Sequence, residues 1–415
     1  MVRKIGLMLT LCLTGTALGP FAARADVIAD WNAKGEAIVI EKRIGPAPAA
    51  RGFTIMHVAM FEAVNAIDKR YAPYRLKLNA EQSLPKEAAA ASAGHAVLSA
   101  IHPDKRAELD VLLASSLAKI PDDAAKTKAT ELGRQAATEI LALRAKDGID
   151  APEVYVPFTV AGTYVPTVIP ASSTIGRVTP WTMTSASQFR PAPPPALTSM
   201  TWTTDVNEVR DFGARANGKR TPEQTDIGRF WFMNGPQAWN PIVRQLAEQK
   251  KLDVTDSARL FALVSLATSD SFIAVFDTKY TYNFWRPMTA LRAAHLSNNN
   301  ETPRDASWLP HGDTPMHPEY PCAHCISSSA AANVLTAFFG NDIPEVSMTS
   351  TTAPGLTRKW KRLSDYSDEV MVARIYGGFH YRFSGKVAQE MGRKIAEQTL
   401  ATQLRSPSAS AAPAR

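Results

Sequence analysis

The 415-residue sequence has only three cysteines and lacks the features of several common protein classes. Cys12 falls within the first 25 residues, which leaves two cysteines for the rest of the chain. That number excludes a disulfide-rich scaffold, so a hydrophobic core must hold the protein together. Basic runs are short and are not interleaved with aromatic residues, so no nucleic acid partner is indicated. After residue 25 we find no apolar stretch of about twenty residues, and we expect no membrane span.

Residues 1–25 have the pattern of a secretory signal peptide. Arg3 and Lys4 precede an apolar segment, residues 5–18, and small residues at 23 and 25 flank a cleavage site. We therefore expect a periplasmic or secreted protein. Removing the three basic residues of this segment lowers Lys plus Arg from 46 to 43, against 39 Asp plus Glu. The resulting net charge of +4 agrees only weakly with an anionic substrate.

Apolar residues recur at helical spacing through most of the chain. The predicted helices are 49–68, 86–101, 104–120, 122–147, 221–233, 237–251, 255–285, 322–339, 365–376 and 382–404. The Pro- and Thr-rich stretch 149–205 predicts long ordered loops, which would form a lid or a homodimer contact, and 298–321 is a second irregular stretch. Few strands are credible, and no repeat of fixed period is visible. We predict an all-α fold with one helical domain, 26–404, and a disordered tail, 405–415.

Two cations lie at the end of the longest apolar helix predicted from the sequence. Lys279 and Arg286 are seven residues apart, which would place them on one helix face if the helix continued to Trp285. Pro287 then disfavours helical geometry at Arg286. Cations beside buried apolar residues are costly unless they meet an anion. Taken alone, such a Lys/Arg pair more often lies on a solvated helix face, but the aromatic residues around it argue against open solvent.

A second motif reads Pro321-Cys322-Ala323-His324, and His317 precedes it in the loop. The residues after Pro321 can open a helix, and the free amides of a first helical turn form a natural anion site. A histidine at such a position is usually a packing or capping residue. If the amides near Ala323 bind an anion, however, His324 would face the same point.

The third motif joins Arg374 to His380 through a segment that contains two glycines. Glycine lets the backbone bend, so the guanidinium and the imidazole can converge. Alone, this would be an ordinary surface pair. Together the three motifs supply three cations, helix-end amides and two imidazoles, which is enough to bind a tetrahedral or trigonal-bipyramidal oxyanion.

The order Lys-x6-Arg-Pro, Pro-x-x-His, Arg-x5-His resembles the superfamily of vanadium-dependent haloperoxidases and type-2 phosphatidic acid phosphatases. Residues 260–287, the segment HPEYPCAHC and the early segment MHVAMFEAVNAI resemble the bacterial haloperoxidase branch. The resemblance thus covers most of the chain after residue 25. It implies a helical bundle with the oxyanion site at helix ends.

The resemblance also implies roles for individual residues. Lys279, Arg286 and Arg374 would neutralise the oxygens of vanadate or phosphate, and Lys279 would polarise bound peroxide. His380 would be the vanadium ligand of a peroxidase, which uses hydrogen peroxide and halide, or the nucleophile of a phosphatase, which uses a phosphate ester. His324 would be the acid/base. A histidine at the place of His317 occurs in bromide-oxidising members, whereas chloride-oxidising members can have Phe there, which favours bromide or iodide.

Several residues depart from the family pattern. Cys322 and Ala323 replace Ser and Gly, so that the oxyanion would meet a weaker thiol donor and an added methyl group. Ala373 replaces the usual Ser before Arg374. Ser384 stands where the phosphatase pattern has Asp, which removes an orienting partner from His380 and counts against phosphoryl transfer. A non-catalytic oxyanion-binding protein is therefore a further alternative.

The pair Cys322 and Cys325 admits other interpretations. A thiol-disulfide oxidoreductase would use such a pair at a helix start, but the helical surroundings lack the strand pattern of a thioredoxin-like fold. A covalent haem attachment motif is excluded because Ile326, not His, follows the second cysteine. A zinc site would combine the cysteines with His324, but no second ligand pair is nearby. A disulfide between the two cysteines is more plausible, and it would alter the anion site.

Overall fold

The computed structural model describes residues 26–407 and consists mainly of α-helices. The helices are α1 (Val27–Glu41), α2 (Pro46–Asp68), α3 (Lys86–Ile101), α4 (Arg106–Leu117), α5 (Ala124–Arg144), α6 (Met200–Gly213), α7 (Pro222–Phe230), α8 (Asn240–Gln249), α9 (Val254–Tyr282), α10 (Pro287–Arg292), α11 (Ala323–Phe339), α12 (Leu363–Tyr376) and α13 (Arg382–Thr402). Strands β1 (Asp342–Ser350) and β2 (Ala353–Arg362) form one antiparallel hairpin. The all-α class predicted from the sequence is confirmed.

Three predicted boundaries concern the ends of the chain. The signal peptide, residues 1–25, and residues 408–415 of the predicted tail lie outside the described residues. Arg405, the first residue of the predicted tail, accepts a hydrogen bond at its main-chain oxygen from the amide of Ala72, 2.8 Å away. That residues 26–404 form a single domain stays a prediction.

Helix α9 occupies the centre of the fold, and local sequence signals define both of its ends. Asp253 caps its start by accepting a hydrogen bond from the amide of Asp256, as short polar side chains do. Asn283 has a φ of 47° and ends the helix, since asparagine tolerates the left-handed conformation. The predicted helix to Trp285 is therefore wrong in its last turn, because α9 ends at Tyr282.

By length and composition, α9 is the one helix among residues 26–407 that could cross a membrane. From the sequence we expected no apolar stretch of this length after residue 25. The apolar window of α9 is 94% buried within the protein. A helix that is apolar on all sides and buried in this way serves as a core helix.

Two groups of three helices have similar packing. Helices α2, α3 and α5 contact one another, α9, α11 and α13 do the same, and α2 packs against α9. A Cβ atom on Gly133 of α5 would lie 2.2 Å from the main-chain oxygen of Ala89, and one on Gly392 of α13 would lie 2.3 Å from that of Ile326. Glycine thus permits a close helix approach in both groups.

A serine hydroxyl forms a hydrogen bond across each of these close helix contacts. The hydroxyl of Ser92 in α3 donates to the main-chain oxygen of Thr130 at 2.9 Å, and that of Ser329 in α11 donates to Gln389 at 2.7 Å. Each acceptor lies three residues before the glycine of its group. The two helix pairs are therefore joined in the same manner.

The hairpin β1–β2 lies between the predicted helices 322–339 and 365–376, in a segment for which no strand was predicted. It covers α7, α8 and α12, and the hydroxyl of Ser350 donates to the main-chain oxygen of Phe230 at 2.7 Å. The inward residues Val346, Met348 and Trp360 are buried, as the alternation of a half-buried strand requires.

Three helices were not predicted. Helix α1 precedes the first predicted helix, α6 begins at Met200, inside the stretch 149–205 that predicted loops, and α10 follows the predicted helix 255–285. The rest of that stretch contains only a short 3-10 turn, Ile175–Arg177. It is fastened to the core by Asp270 of α9, whose carboxylate accepts hydrogen bonds from the amides of Trp181 and Thr182, each at 2.7 Å.

Candidate active site

A cavity of about 370 Å³ lies where the three sequence motifs meet. Five of the predicted site residues line it, namely His317, Ala323, His324, Arg374 and His380. Phenylalanines from α9 and from two loops form much of the remaining wall. The fold thus brings together predicted residues that are up to 101 positions apart in the sequence. Lys279 and Arg286 belong to this group because they contact the same loops.

Lys279 lies in the last turn of α9 and is fully buried. Its Nζ donates to the main-chain oxygens of Pro318 at 2.9 Å and Glu319 at 2.7 Å. Burial lowers the pKa of Lys279 well below its ordinary value, and the nearby Arg286 lowers it further. An anion in the cavity would counter both effects.

Arg286 reaches the site from an extended backbone position instead of from the face of α9. Its Nε donates to the main-chain oxygen of His317 at 2.9 Å, and NH1 donates to that of Phe379 at 2.9 Å. The same guanidinium lies 3.2 Å from Nε2 of His380 and 3.0 Å from Nδ1 of His317. Burial lowers its pKa to about 10. Arg286 therefore connects two loops and two imidazoles.

Arg374 enters from α12 and is 2% exposed. Its NH1 donates to the main-chain oxygen of Trp231 at 2.6 Å, and the guanidinium lies over the ring of Phe379. Its Nε has no hydrogen-bond partner. Burial, followed by repulsion from Arg286, lowers the pKa of Arg374 to about 9. An unpartnered buried donor on a cation is a strong indication of an anionic ligand.

His324 occupies the first turn of α11, as predicted. Its Nε2 lies 3.2 Å from the main-chain oxygen of Met233. Burial and the charge of Arg374 lower its pKa well below the ordinary value, so the imidazole is neutral without a ligand. A neutral imidazole beside the cavity can accept a proton from a substrate.

Cys322 does not have the predicted role of a thiol donor. It caps α11, forms a disulfide with Cys325, and does not line the cavity. A disulfide has no S–H to donate to an oxyanion. It also leaves no thiolates for the zinc site that was considered, and no cluster of three metal-ligating side chains occurs among residues 26–407. Ala323, in contrast, does line the cavity.

Glu319 is a site residue that the sequence analysis missed. Its side chain is fully buried, and Oε1 lies 2.7 Å from Nδ1 of His380. The amide of Tyr381 donates to the same oxygen at 3.2 Å. Burial raises the pKa of Glu319 to about 7, although Lys279 and Arg286 oppose that effect. His380 therefore has a carboxylate partner after all, from a different segment than Ser384.

The donor set suits an oxyanion such as vanadate or phosphate. Lys279, Arg286 and Arg374 are all nearly fully buried, and no ion pair within 26–407 includes any of them. Burial lowers the pKa of each, and the charge of Glu319 opposes that effect at Lys279 and Arg286 only. Three buried cations beside imidazole nitrogen atoms, with one carboxylate among them, are the donor set that would suit an oxyanion at the helix ends of this bundle.

Comparison with known proteins matches the C-terminal part of the chain to one protein family. Residues 259–407 match the model of the VCPO second helical-bundle domain. The chain is 29% identical over 159 residues to the vanadium chloroperoxidase of Curvularia inaequalis, which covers 32% of this chain and 26% of that protein. The match thus spans about a quarter of the fungal protein's length.

The fold is similar to two solved bacterial structures. One is described as the first bacterial vanadium-dependent iodoperoxidase, with a TM-score of 0.80 and 26% identity, covering 92% of this chain and 97% of the other. An apo-type bacterial vanadium-dependent chloroperoxidase has a TM-score of 0.67 at 17% identity, covering 86% and 93%, respectively. Over residues 259–407 the chain therefore matches the vanadium-dependent haloperoxidase family, and its fold is the helical fold of those proteins.

Proposed function

We propose that this protein is a vanadate-dependent peroxidase that oxidises iodide or bromide with hydrogen peroxide. The observation that carries the proposal is a group of three buried cations at the cavity that His380 and His324 line. Arg374 lines this cavity, and Lys279 and Arg286 lie behind its wall, where they donate to the loops of His317 and Phe379. The similarity to a structure described as an iodoperoxidase, which extends over 97% of that chain, supports the same reaction class.

The residues fit vanadate because the site combines positive charge with an imidazole nitrogen, Nε2 of His380, whose one contact is with the donor NH1 of Arg286. Lys279, Arg286 and Arg374 would hold its oxygens, and Nε2 of His380 would be the ligand on the opposite side from the Nδ1–Glu319 contact. When bound, vanadate supplies the activation of hydrogen peroxide. The protein supplies a fixed and mostly apolar enclosure, in which charge interactions are stronger than in water.

His324 would move the proton in this reaction. It is neutral, lines the cavity and is held by the oxygen of Met233 through Nε2. A neutral base can accept a proton from hydrogen peroxide as the peroxide enters. The nearby positive charge of Arg374 favours return of that proton when the oxidised halide leaves.

His317 favours the larger halides in this proposal. Its ring lies edge-on to Phe276, with centroids 5.2 Å apart, and its Nδ1 lies near NH2 of Arg286. Burial lowers its pKa well below the ordinary value, so it is a neutral and polarisable wall of the cavity. Iodide and bromide are weakly hydrated ions, and they lose less on entering such surroundings than chloride does.

A phosphatase that works through a phosphohistidine is the second candidate. One specific observation favours the phosphatase. Glu319 supplies the carboxylate partner for His380 that a serine at position 384 cannot provide. A neutral imidazole oriented by a carboxylate is a suitable nucleophile. The third candidate is an oxyanion-binding protein without turnover, for which the missing thiol donor at Cys322 is the supporting observation.

One experiment separates the three candidates. Mature protein stripped of phosphate is assayed for halogenation of a dye with orthovanadate, hydrogen peroxide and iodide, bromide or chloride, and in parallel for hydrolysis of p-nitrophenyl phosphate without vanadate. We expect vanadate-dependent halogenation with iodide or bromide, and its loss in His380→Ala. Phosphate release alone would replace this proposal with the phosphatase. Vanadate binding without either reaction would leave an oxyanion-binding protein.

We also propose that residues 1–25 direct export and are removed. The pattern of charged, apolar and small residues in this segment supports the proposal. Mass spectrometry of the protein recovered outside the cytoplasm should give a chain that begins at Asp26. A chain that retains Met1 and stays in the cytoplasm would contradict it.

The segment 154–169 is proposed as the contact of a homodimer. Val156, Phe158, Val160 and Ile169 are all more than half exposed, and clustered exposed apolar side chains mark contact surfaces. Sedimentation of the mature protein tests this proposal. A dimer that Phe158→Asp converts to monomer would support it, and a monomeric wild type would contradict it.

A further inference from the structure

Among the described residues, Glu319 is the buried carboxylate that contacts His380, and its charge also acts on Lys279 and Arg286. Its backbone is fixed, because its amide donates to Phe284 at 2.8 Å and its carbonyl oxygen accepts from Lys279 at 2.7 Å. Its side chain is fixed by the amide of Tyr381. The carboxylate is therefore held rigidly against His380, which is 2% exposed.

The contacts on the two nitrogens of His380 determine its tautomer. NH1 of Arg286 lies 3.2 Å from Nε2, and a guanidinium can only donate a hydrogen bond. Nε2 must therefore be the acceptor of the ring, so the single proton of the neutral imidazole lies on Nδ1. Oε1 of Glu319, 2.7 Å from Nδ1, is then the acceptor of that proton. Both contacts require the same tautomer.

We propose that Glu319 is the positioning residue of His380, which acts by holding the proton on Nδ1 and thereby keeps a lone pair on Nε2 for the oxyanion, which would replace the contact of Nε2 with Arg286. This inference rests on the proposed function, in which Nε2 binds the vanadate. Partners that orient a ligating histidine in this way commonly change ligand affinity by about 10- to 100-fold. Ser384, in the usual place of such a partner, makes no hydrogen bond to His380 through its hydroxyl.

A purely electrostatic role for Glu319 predicts the opposite result. Its negative charge lies beside Lys279 and Arg286, where an anion is to bind, so the carboxylate repels the ligand. If charge alone mattered, Glu319→Gln would bind vanadate more tightly than the wild type. If Glu319 positions His380, the same variant binds vanadate more weakly. The sign of the change therefore distinguishes the two roles.

The test compares mature wild type with Glu319→Gln, Glu319→Asp and the control Glu62→Gln. Glu62 is a buried glutamate of α2 that accepts hydrogen bonds from the amides of Arg75 and Leu76, so its variant has a similar change of buried charge without contact to His380. Vanadate dissociation constants are measured by equilibrium dialysis without peroxide or halide. The 15N NMR signals of His380, assigned by their loss in His380→Ala, report the tautomer.

We expect Glu319→Gln to raise the vanadate dissociation constant by about 10- to 100-fold and to give His380 a second tautomer. Glu319→Asp should retain the Nδ1–H tautomer with a smaller loss of affinity, and it replaces the Gln variant in the test if the latter does not fold. Glu62→Gln should match the wild type. Unchanged or tighter binding in Glu319→Gln, or weaker binding with only the original tautomer, would overturn the positioning role. If the wild type binds no vanadate, the proposed function fails, but the NMR signals still decide the role of Glu319.

Discussion

The main-chain oxygen of Trp231 accepts a hydrogen bond of 2.6 Å from NH1 of Arg374. This bond joins the end of α7 to α12 and directs the guanidinium toward the cavity. It satisfies one donor of Arg374 but leaves Nε without a partner. The side chain is thus positioned before any ligand binds, with part of its donor capacity free for one.

Arg374→Lys should weaken oxyanion binding because an ammonium group cannot donate to Trp231 and to the ligand in the same planar geometry. We expect the vanadate dissociation constant to rise by roughly tenfold or more, the loss of one charge-assisted hydrogen bond. Equilibrium dialysis measures the change, and Arg393→Lys is the control, since Arg393 lies on the exposed face of α13. Equal affinities for wild type and Arg374→Lys would contradict the role of Arg374.

His324→Ala should separate binding from turnover. His324 lines the cavity but adds no fixed charge, because its pKa is well below the ordinary value. We expect vanadate affinity to change little, and kcat for iodide oxidation to fall by about 10²- to 10⁴-fold, as loss of an acid/base does. His295→Ala, at an exposed position, should match the wild type. Loss of vanadate binding with retained kcat would reverse the assignment.

The free energy of unfolding should decrease as pH falls from about 6.5, because buried His57 resists protonation. Burial lowers its folded-state pKa to about 3, from 6.5, so between these values the unfolded chain binds one more proton than the folded protein does. Stability from this residue is present above pH 6.5 and is lost as pH falls toward 3, at roughly 1.4 kcal/mol per pH unit. The buried histidines of the cavity act in the same direction.

Urea unfolding at several pH values measures this effect. The variant His57→Gln, which can still bond Ser265 and Asn32, the partners of the imidazole, should show a shallower slope, by up to about one proton. Identical slopes for the variant and the wild type would contradict a neutral His57.

Gly392→Ala should destabilise the protein, because the added methyl would lie 2.3 Å from the main-chain oxygen of Ile326. Helices α11 and α13 must then separate, at a cost of about 1–3 kcal/mol. Gly52→Ala in α2 is the control, since its nearest neighbour would be 3.8 Å away, and alanine favours the helix by about 1 kcal/mol. Thermal unfolding should therefore give opposite shifts, and a stabilising Gly392→Ala would be inconsistent with this packing.

Replacing both Cys322 and Cys325 by Ser should change the vanadate dissociation constant by no more than about threefold. This change is small compared with the roughly tenfold effect expected when one charge-assisted hydrogen bond is lost. Cys322 does not line the cavity, and Ser can still cap α11. The disulfide closes a loop of only four residues, so its loss should reduce stability by only about 2 kcal/mol. Dialysis and urea unfolding measure the two quantities, and complete loss of vanadate binding would show that the disulfide itself shapes the site.

Short-range signals in the sequence predicted most of the helices and five of the residues that line the cavity. Lys279, His324, Arg374 and His380 each stand beside a helix end that Pro, Gly or a capping residue marks. The bounds of α3 agree with the prediction, 86–101. Such features depend on neighbours within a few residues, and periodicity detects them.

Contacts between distant segments were not predictable in this way. Glu319 and His380 are 61 positions apart, and no local pattern connects a loop glutamate to a histidine beyond the next helix. Asn283 ended α9 early because it adopts a left-handed conformation, which the apolar periodicity does not reveal. The hairpin β1–β2 has exposed charged residues on one face, so its sequence was not distinguished from a polar loop.

The matched contacts of Gly133 and Gly392, with a serine beside each, place the closest helix approach of both groups at a glycine. Each group of three helices therefore depends on one position at which any side chain would force two helices apart. Substitutions elsewhere on these helices can be absorbed by side-chain rearrangement, whereas these two positions tolerate no larger residue without a shift of the backbone.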